Sequence, residues 1–238
     1  IVLETEQQLS AFLYLINRTS ASQLHSIQWN EIVTKIGLPK DFIRLESQQL
    51  TVNKCTFDSI GPKAISLTNA KRLVLDSVKF EQGLPSSPFA LYFRPNGLES
   101  NEPARFELIV HDSLGNSTMS APLVYIFNED TGRKLSFEAD FTSNDRLGRL
   151  IQRHTFGALI SAIDRDPLIE PKVFRFDAID CCAAANRWLF DTLTNGAGAV
   201  NRLRLDAQCY DADGGAQEFV GKSAEELNAA CMNYRERG

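Results

Sequence analysis

Three short stretches decide the fold: Ile27-Gln28-Trp29-Asn30-Glu31-Ile32, Leu50-Thr51-Val52-Asn53-Lys54-Cys55 and Leu73-Val74-Leu75-Asp76-Ser77-Val78. Each carries the pattern apolar-x-apolar-x-x-apolar, and each follows the last at an offset of 23 residues. Phe57 and Phe80 continue the second and third copies, and Pro39, Pro62 and Pro85 close all three. A fixed period in the twenties predicts units that cannot bury their apolar face alone and must stack on a neighbour, as in a solenoid. Within each copy the couplets Ile27-x-Trp29, Leu50-x-Val52 and Leu73-x-Leu75 read as single strands, since alternate side chains share a face. Ile65-x-Leu67 and Phe89-x-Leu91-x-Phe93 read as further strands on another side of the stack.

The flanks are less regular. Leu9, Phe12, Leu13 and Ile16 recur at helical spacing behind a Thr5/Gln8 capping box, so residues 5–16 read as an amphipathic helix that caps the stack. After Pro95 the period breaks. Strand-like alternation at Phe106–Val110, Leu123–Phe127 and Leu135–Phe137 fits either inserted coils or an antiparallel meander. Ser143–Ile163 is helix-compatible, and Phe174-x-Phe176-x-x-Ile179-x-Cys181 restates the template. Asn186–Leu193 and a helix opened by Ser223-Ala224-Glu225-Glu226 complete the chain. The expected organisation is an N-terminal helical cap over 1–23, a β-solenoid over 24–180 with insertions after residue 94, and a cysteine-rich cap over 181–238.

Composition narrows the functional classes. The 238 residues are 43% apolar and 23% charged, ordinary for a folded domain. A net charge of −5 argues against a nucleic-acid binder, which carries a basic excess. The longest early apolar run, Ala11–Ile16, falls far short of the ~20 residues needed to span a bilayer. The start at Ile1, without Met or leader, reads as a processed or trimmed chain, and Arg235-Glu236-Arg237-Gly238 reads as a cut end. Four of five cysteines (Cys181, Cys182, Cys209 and Cys231) fall in the last quarter. An even local set suggests a bridged unit in an oxidising compartment. The sequons at Asn17 and Asn116 agree with secretion and add little weight.

The C-terminal segment resembles the cysteine-flanked cap of extracellular leucine-rich-repeat proteins. The matching parts are Cys181-Cys182, Trp188-Leu189, Cys209, Gly221, Leu227 and Cys231. Ala70-x-x-Leu73-x-Leu75-x-x-Val78-x-Phe80 resembles the repeat in front of it. Two features depart from the family: the first two cysteines are adjacent, and Ile32, Cys55 and Val78 occupy the position that prefers Asn or Cys. Apolar residues there suit a parallel β-helix. The expectation is therefore a mainly β, parallel β-solenoid of the β-helix type with such a cap, the leucine-rich horseshoe being the alternative. The resemblance implies that Cys181 and Cys182 pair with Cys209 and Cys231 in one of two orders, each bridge contributing about 2–4 kcal/mol. It leaves Cys55 free, as a small buried apolar residue.

Chemistry is sparse. Gly221-Lys222-Ser223 lacks the spacing of a phosphate loop, and Asp211-x-Asp213-Gly214 lacks the terminal carboxylate of a calcium loop. No catalytic, cofactor or metal set emerges. Gln28, Thr51, Asn53, Val74 and Asp76 on the outward face look too bland for the acid–base pair that sugar cleavage needs. Arg146, Arg149 and Arg153 suit a glycosaminoglycan only weakly, a solvated basic face being the better reading. Tyr92 and Arg94 are the better contact candidates, because Tyr and Arg favour protein interfaces. The expected function is a non-enzymatic extracellular recognition domain, secreted or from a receptor ectodomain, binding another extracellular or cell-surface protein. The alternatives are a carbohydrate-active β-helix enzyme and an intracellular interaction scaffold.

Overall fold

The structure is a computed structural model that describes residues 1–20, 24–82, 87–93, 104–113, 123–128, 135–143, 169–180, 203–210 and 216–218. Strand dominates these residues, and the fold is mainly β. The elements are β1 (Val2–Leu3), α1 (Glu6–Ser20), β2 (Leu24–Asn30), β3 (Val33–Thr34), β4 (Ile43–Asn53), β5 (Thr56–Phe57), β6 (Ile65–Thr68), β7 (Arg72–Asp76) and β8 (Lys79–Phe80). They continue with β9 (Phe89–Phe93), β10 (Ala104–His111), β11 (Val124–Asn128), β12 (Leu135–Asp140), β13 (Ile169–Asp180), β14 (Leu203–Tyr210) and β15 (Ala216–Glu218).

The 23-residue offset becomes strand register. Ile27 pairs with Leu50 and Leu50 with Leu73; Trp29 pairs with Val52 and Val52 with Leu75, all in parallel. Burial alternates along these strands because successive side chains point to opposite faces, and Leu50, Val52, Leu73 and Leu75 are all inside. Like residues therefore meet across strands. Phe57 stacks on Phe80 at 5.8 Å and Phe106 on Phe137 at 6.0 Å, contacts that add about 0.5–1.5 kcal/mol each to plain burial. Cys55 is fully buried. Its Sγ accepts from Ile32 N–H and lies within hydrogen-bond reach of the Asn53 and Trp29 carbonyls. Burial pushes its thiol up from the ordinary value, which makes it an inert core residue.

Five strands of the long arm, β2, β4, β7, β10 and β12, run into a left-handed residue: Glu31, Lys54, Ser77, Asp112 and Ser143 all have φ between 45 and 60°. That conformation turns the chain while its N–H stays in the ladder, as Glu31 N–H donates to Asn53 O and Lys54 N–H to Asp76 O. A second corner, near Pro39 and Pro62, is tighter. Gly61 N–H donates to Leu38 O at 2.7 Å, and a Cβ on Gly61 would lie 2.6 Å from Lys40 N and 2.9 Å from Pro39 C. The backbone contact leaves no room for a side chain.

The N-terminal capping box forms as its spacing predicts. Gln8 N–H donates to Thr5 Oγ1, and Gln8 Oε1 accepts from Thr5 and Glu4 N–H. The helix runs on to Ser20 and buries Leu9 and Ile16, with Phe12 edge-on to Trp29 at 5.8 Å.

The solenoid resemblance is corrected by the topology. The strands form a four-stranded sheet, β1-β3-β5-β8, and an eleven-stranded sheet; one sheet curls into a half-barrel, and no clear solenoid results. Two physical reasons stand out. First, β4 is long enough to serve two arms: Ile43–Glu46 pair with β6, while Gln49–Asn53 pair with β7. What a β-helix would divide into separate faces is here one continuous sheet. Second, the period does not last. Ser113 reaches back 35 residues to Val78, and Thr142 reaches 31 residues to His111. The leucine-rich horseshoe fails too, since α1 is the only helix among the described residues and precedes every strand but β1.

The meander reading after Pro95 is also overturned: β10, β11, β12, β13 and β14 all pair in parallel, and only β15 is antiparallel among the described strands. The segment expected to be a helical cap supplies β14 and β15 to the sheet. The helices expected at Asn186–Leu193 and after Ser223, and all but the first residue of Ser143–Ile163, lie outside the described residues.

Candidate functional site

Two outward surfaces collect chemistry-bearing side chains. The first is on the short arm, where β6, β9 and β11 lie side by side. Register sets two outward rows, Arg44–Ser66–Ala90–Tyr125 and Glu46–Thr68–Tyr92–Phe127. Ser66 and Ala90 in the first row are small and buried, Thr68 and Tyr92 in the second are half-buried, and the two rings of the last strand are exposed. Tyr125 and Phe127 are 39% and 41% exposed, far above their buried neighbours Leu123 and Val124. Their rings are nearly parallel with centroids 6.5 Å apart, and Tyr92 packs edge-on to Phe127 at 5.8 Å. Lys63 sits 4.3 Å from the centroid of Tyr125, a cation–π contact that steadies the outermost ring. The result is a fixed aromatic step with a cation on one side and the exposed pair Arg44 and Glu46 at the far end of the rows.

Covering such a step is favourable. At about 25 cal/mol per Å² of apolar surface, hiding the open part of each ring is worth roughly 2 kcal/mol. The rings are already held by packing, so little side-chain entropy is lost when a ligand arrives.

The second surface is the outward face of the long arm. Here Glu107 meets Arg72 at 3.1 Å, and Glu138 lies between Arg105 at 3.2 Å and Arg175 at 3.4 Å. Further along, Asp140 accepts from Thr142 N–H at 2.9 Å and Thr142 Oγ1 at 2.7 Å, with His111 Nε2 at 3.6 Å. Asn53 donates to Asn30 in the same line of strand ends. Burial raises the Asp140 carboxyl, but the two Thr142 hydrogen bonds and His111 together outweigh it and hold the group below its ordinary value.

This face is richer than its sequence suggests. Glu107, Glu138 and Asp140 gather on adjacent strands, whereas only the blander Gln28, Thr51, Asn53, Val74 and Asp76 are legible from the repeat. Each gathered carboxylate nevertheless has a cation or imidazole partner. Asp140, held low, is a carboxylate at neutral pH and cannot donate the proton that glycosidic cleavage requires. Its contacts also fail as a nucleophilic triad: Asp140 touches the same His111 nitrogen that faces Thr142, leaving no relay through the ring. Among the described residues no group of three or more His, Cys, Asp or Glu is arranged to hold a metal ion.

The residues singled out from the sequence are placed unevenly. Tyr92 falls inside the aromatic step, while Arg94 lies outside the described residues. Cys209 is on β14, its Cα paired with that of Ile179, two residues short of Cys181. Cys181, Cys182 and Cys231 lie outside the described residues, as do Asn116, Arg146, Arg149 and Arg153. Asn17 is in the last turn and a half of α1. Among the described residues no helix is long and apolar enough to cross a membrane.

No family model, curated protein or solved structure matches the chain. The leucine-rich and β-helix resemblance thus has no matching family behind it.

Proposed function

We propose that this chain is a non-enzymatic recognition domain that binds another protein through the aromatic step of Tyr92, Tyr125 and Phe127. The observation that carries this reading is the exposure of Tyr125 and Phe127, the two exposed large apolar side chains of the eleven-stranded sheet among the described residues. Rigid aromatic anchors beside a cation and a polar rim have the composition of a protein-binding hot spot. The partner is an extracellular or cell-surface protein, and the chain works outside the cell. That setting rests on the four cysteines of the last quarter and on the sequons at Asn17 and Asn116.

The test is a binding screen of the chain against an array of extracellular proteins, repeated with the double variant Tyr125→Ser/Phe127→Ser. Binding that falls by at least about 30-fold, with circular dichroism unchanged, supports the step as the contact. Equal binding by the variant removes it. Mass mapping without reduction should find Cys181, Cys182, Cys209 and Cys231 oxidised; four free thiols would favour an intracellular scaffold instead. A second reading, a carbohydrate-active enzyme, draws support from the gathering of Glu107, Glu138 and Asp140. It requires polysaccharide cleavage that Asp140→Asn or Glu138→Gln abolishes.

A further inference from the structure

The aromatic step is charged unevenly. The row Arg44–Ser66–Ala90–Tyr125 has a cation at one end and, at the other, a ring with Lys63 against it. In the row Glu46–Thr68–Tyr92–Phe127 the single charge is a carboxylate, at the end opposite Phe127. The Tyr125 side of the step is therefore basic, in a chain whose net charge is −5.

Lys63 is held in place by the backbone around it. It sits at the corner between Pro62 and β6, where its N–H donates to Ser87 O at 2.7 Å and its C=O accepts from Ser66 Oγ at 3.4 Å. β9 lies between the layer of Lys63 and that of Tyr125, and its residue in this row is Ala90, small and buried. The long side chain thus crosses the sheet and brings Nζ to 4.3 Å from the ring centroid. An ammonium has three N–H donors, and a ring face engages only those turned toward it. The long arm treats its cations differently. There Arg72, Arg105 and Arg175 each meet a glutamate, at 3.1, 3.2 and 3.4 Å. Among the described residues no carboxylate lies within ion-pair distance of Lys63 or Arg44.

We propose that the partner segment seated on this step is acidic: a carboxylate meets Lys63 beside the apolar side chain that covers Tyr125 and Phe127, and Arg44 extends the basic row. This charge preference rests on the reading of the step as a protein contact, and adds the partner's chemistry and its direction across the rows. Covering the rings takes water from Nζ, so a carboxylate there gains from the lower dielectric. A Lys or Arg in the same place is left facing a like charge. Selection comes from the partners repelled as much as from those accepted.

A displayed library of short random peptides, selected on the full chain, tests this. Counter-selection on Tyr125→Ser/Phe127→Ser discards the clones that do not need the step. The surviving clones should carry Asp or Glu beside Phe, Tyr, Trp or Leu, and should bind less well as salt rises. Their affinity should fall about 5-fold on Lys63→Gln, and selection on Lys63→Glu should turn toward Lys and Arg. Clones without an acidic bias, or with affinities that ignore both Lys63 variants, overturn the proposal and leave the step standing as a contact. If no clone depends on the step, the protein-binding reading falls with it. Should Lys63→Glu fail to fold, Lys63→Gln and Arg44→Gln decide.

Discussion

Residues 24–82 and the strands that follow are built from the same parallel pairing, yet they differ in how much chain lies between neighbours. In the first region each layer takes 23 residues and adds a strand to the long arm and to the small sheet, as β2 and β3 are followed by β4 and β5, then by β7 and β8. In the second the separation alternates near 35 and 31 residues, and the small sheet gains no further strand among the described residues. The register itself survives the change. Ser113 shows how: buried, it donates to His111 O and accepts from Val78 N–H, bonding the corner after β10 to the layer before it. Strand pairing needs equal registers but not equal loops, because lengthening a loop costs only about 0.6 kcal/mol per doubling.

The two regions also differ outwardly. The repeat presents amides and hydroxyls such as Asn30, Asn53 and Thr51 along with Arg72, while the later strands present the carboxylates Glu107 and Glu138, their ion pairs and the aromatic rings. Freed from the period, the later strands carry the side chains with chemistry.

The comparison is open to direct attack, and the sharpest blow is to the phenylalanine stacks. Phe57→Ala in the repeat and Phe137→Ala beyond it should each cost about 3–5 kcal/mol. If the sheet unfolds as one unit, both variants shift a single urea midpoint; two separate transitions would divide the regions thermodynamically. Next comes Gly61→Ala, which drives a Cβ into the backbone of Pro39 and Lys40 and should cost about 1–3 kcal/mol. An unchanged melting temperature would mean that this corner is looser than its geometry implies.

Asp140 gives the later region a pH signature of its own. Its carboxyl is lower in the folded than in the unfolded chain. The stability it contributes is therefore present above the unfolded value, near pH 4, and is lost as pH falls through the folded one. Asp140→Asn should cost about 1–2 kcal/mol at neutral pH and flatten stability measured by urea titration below about pH 4. The smallest expected effect is a gain. Lys54 and Ser143 hold equivalent left-handed corners in the two regions, so Lys54→Gly and Ser143→Gly should each stabilise by up to about 1 kcal/mol. A clear difference between them would show that one corner is strained more than the other.

Equal spacing is what a reader of the sequence can see. Ile27, Leu50 and Leu73 announce their own register because the same pattern returns at the same distance, and Thr5 with Gln8 announces the start of α1. Tyr125 and Phe127 were hidden for a different reason: Leu123–Phe127 is apolar at both parities, so alternation cannot say which side faces out. Glu107, Glu138 and Asp140 were hidden because no shared pattern links residues separated by loops of unequal length.

The amino-acid order alone therefore determined the strand couplets of the repeat, their parallel pairing across the first three layers, and the capped helix at the start. These follow from local periodicity and from hydrogen bonds between near neighbours. Only the tertiary structure decided that β4 joins two arms into one curled sheet, which ring faces water, and which carboxylates stand together. Those outcomes depend on packing between residues far apart in the chain, whose meeting no local pattern records.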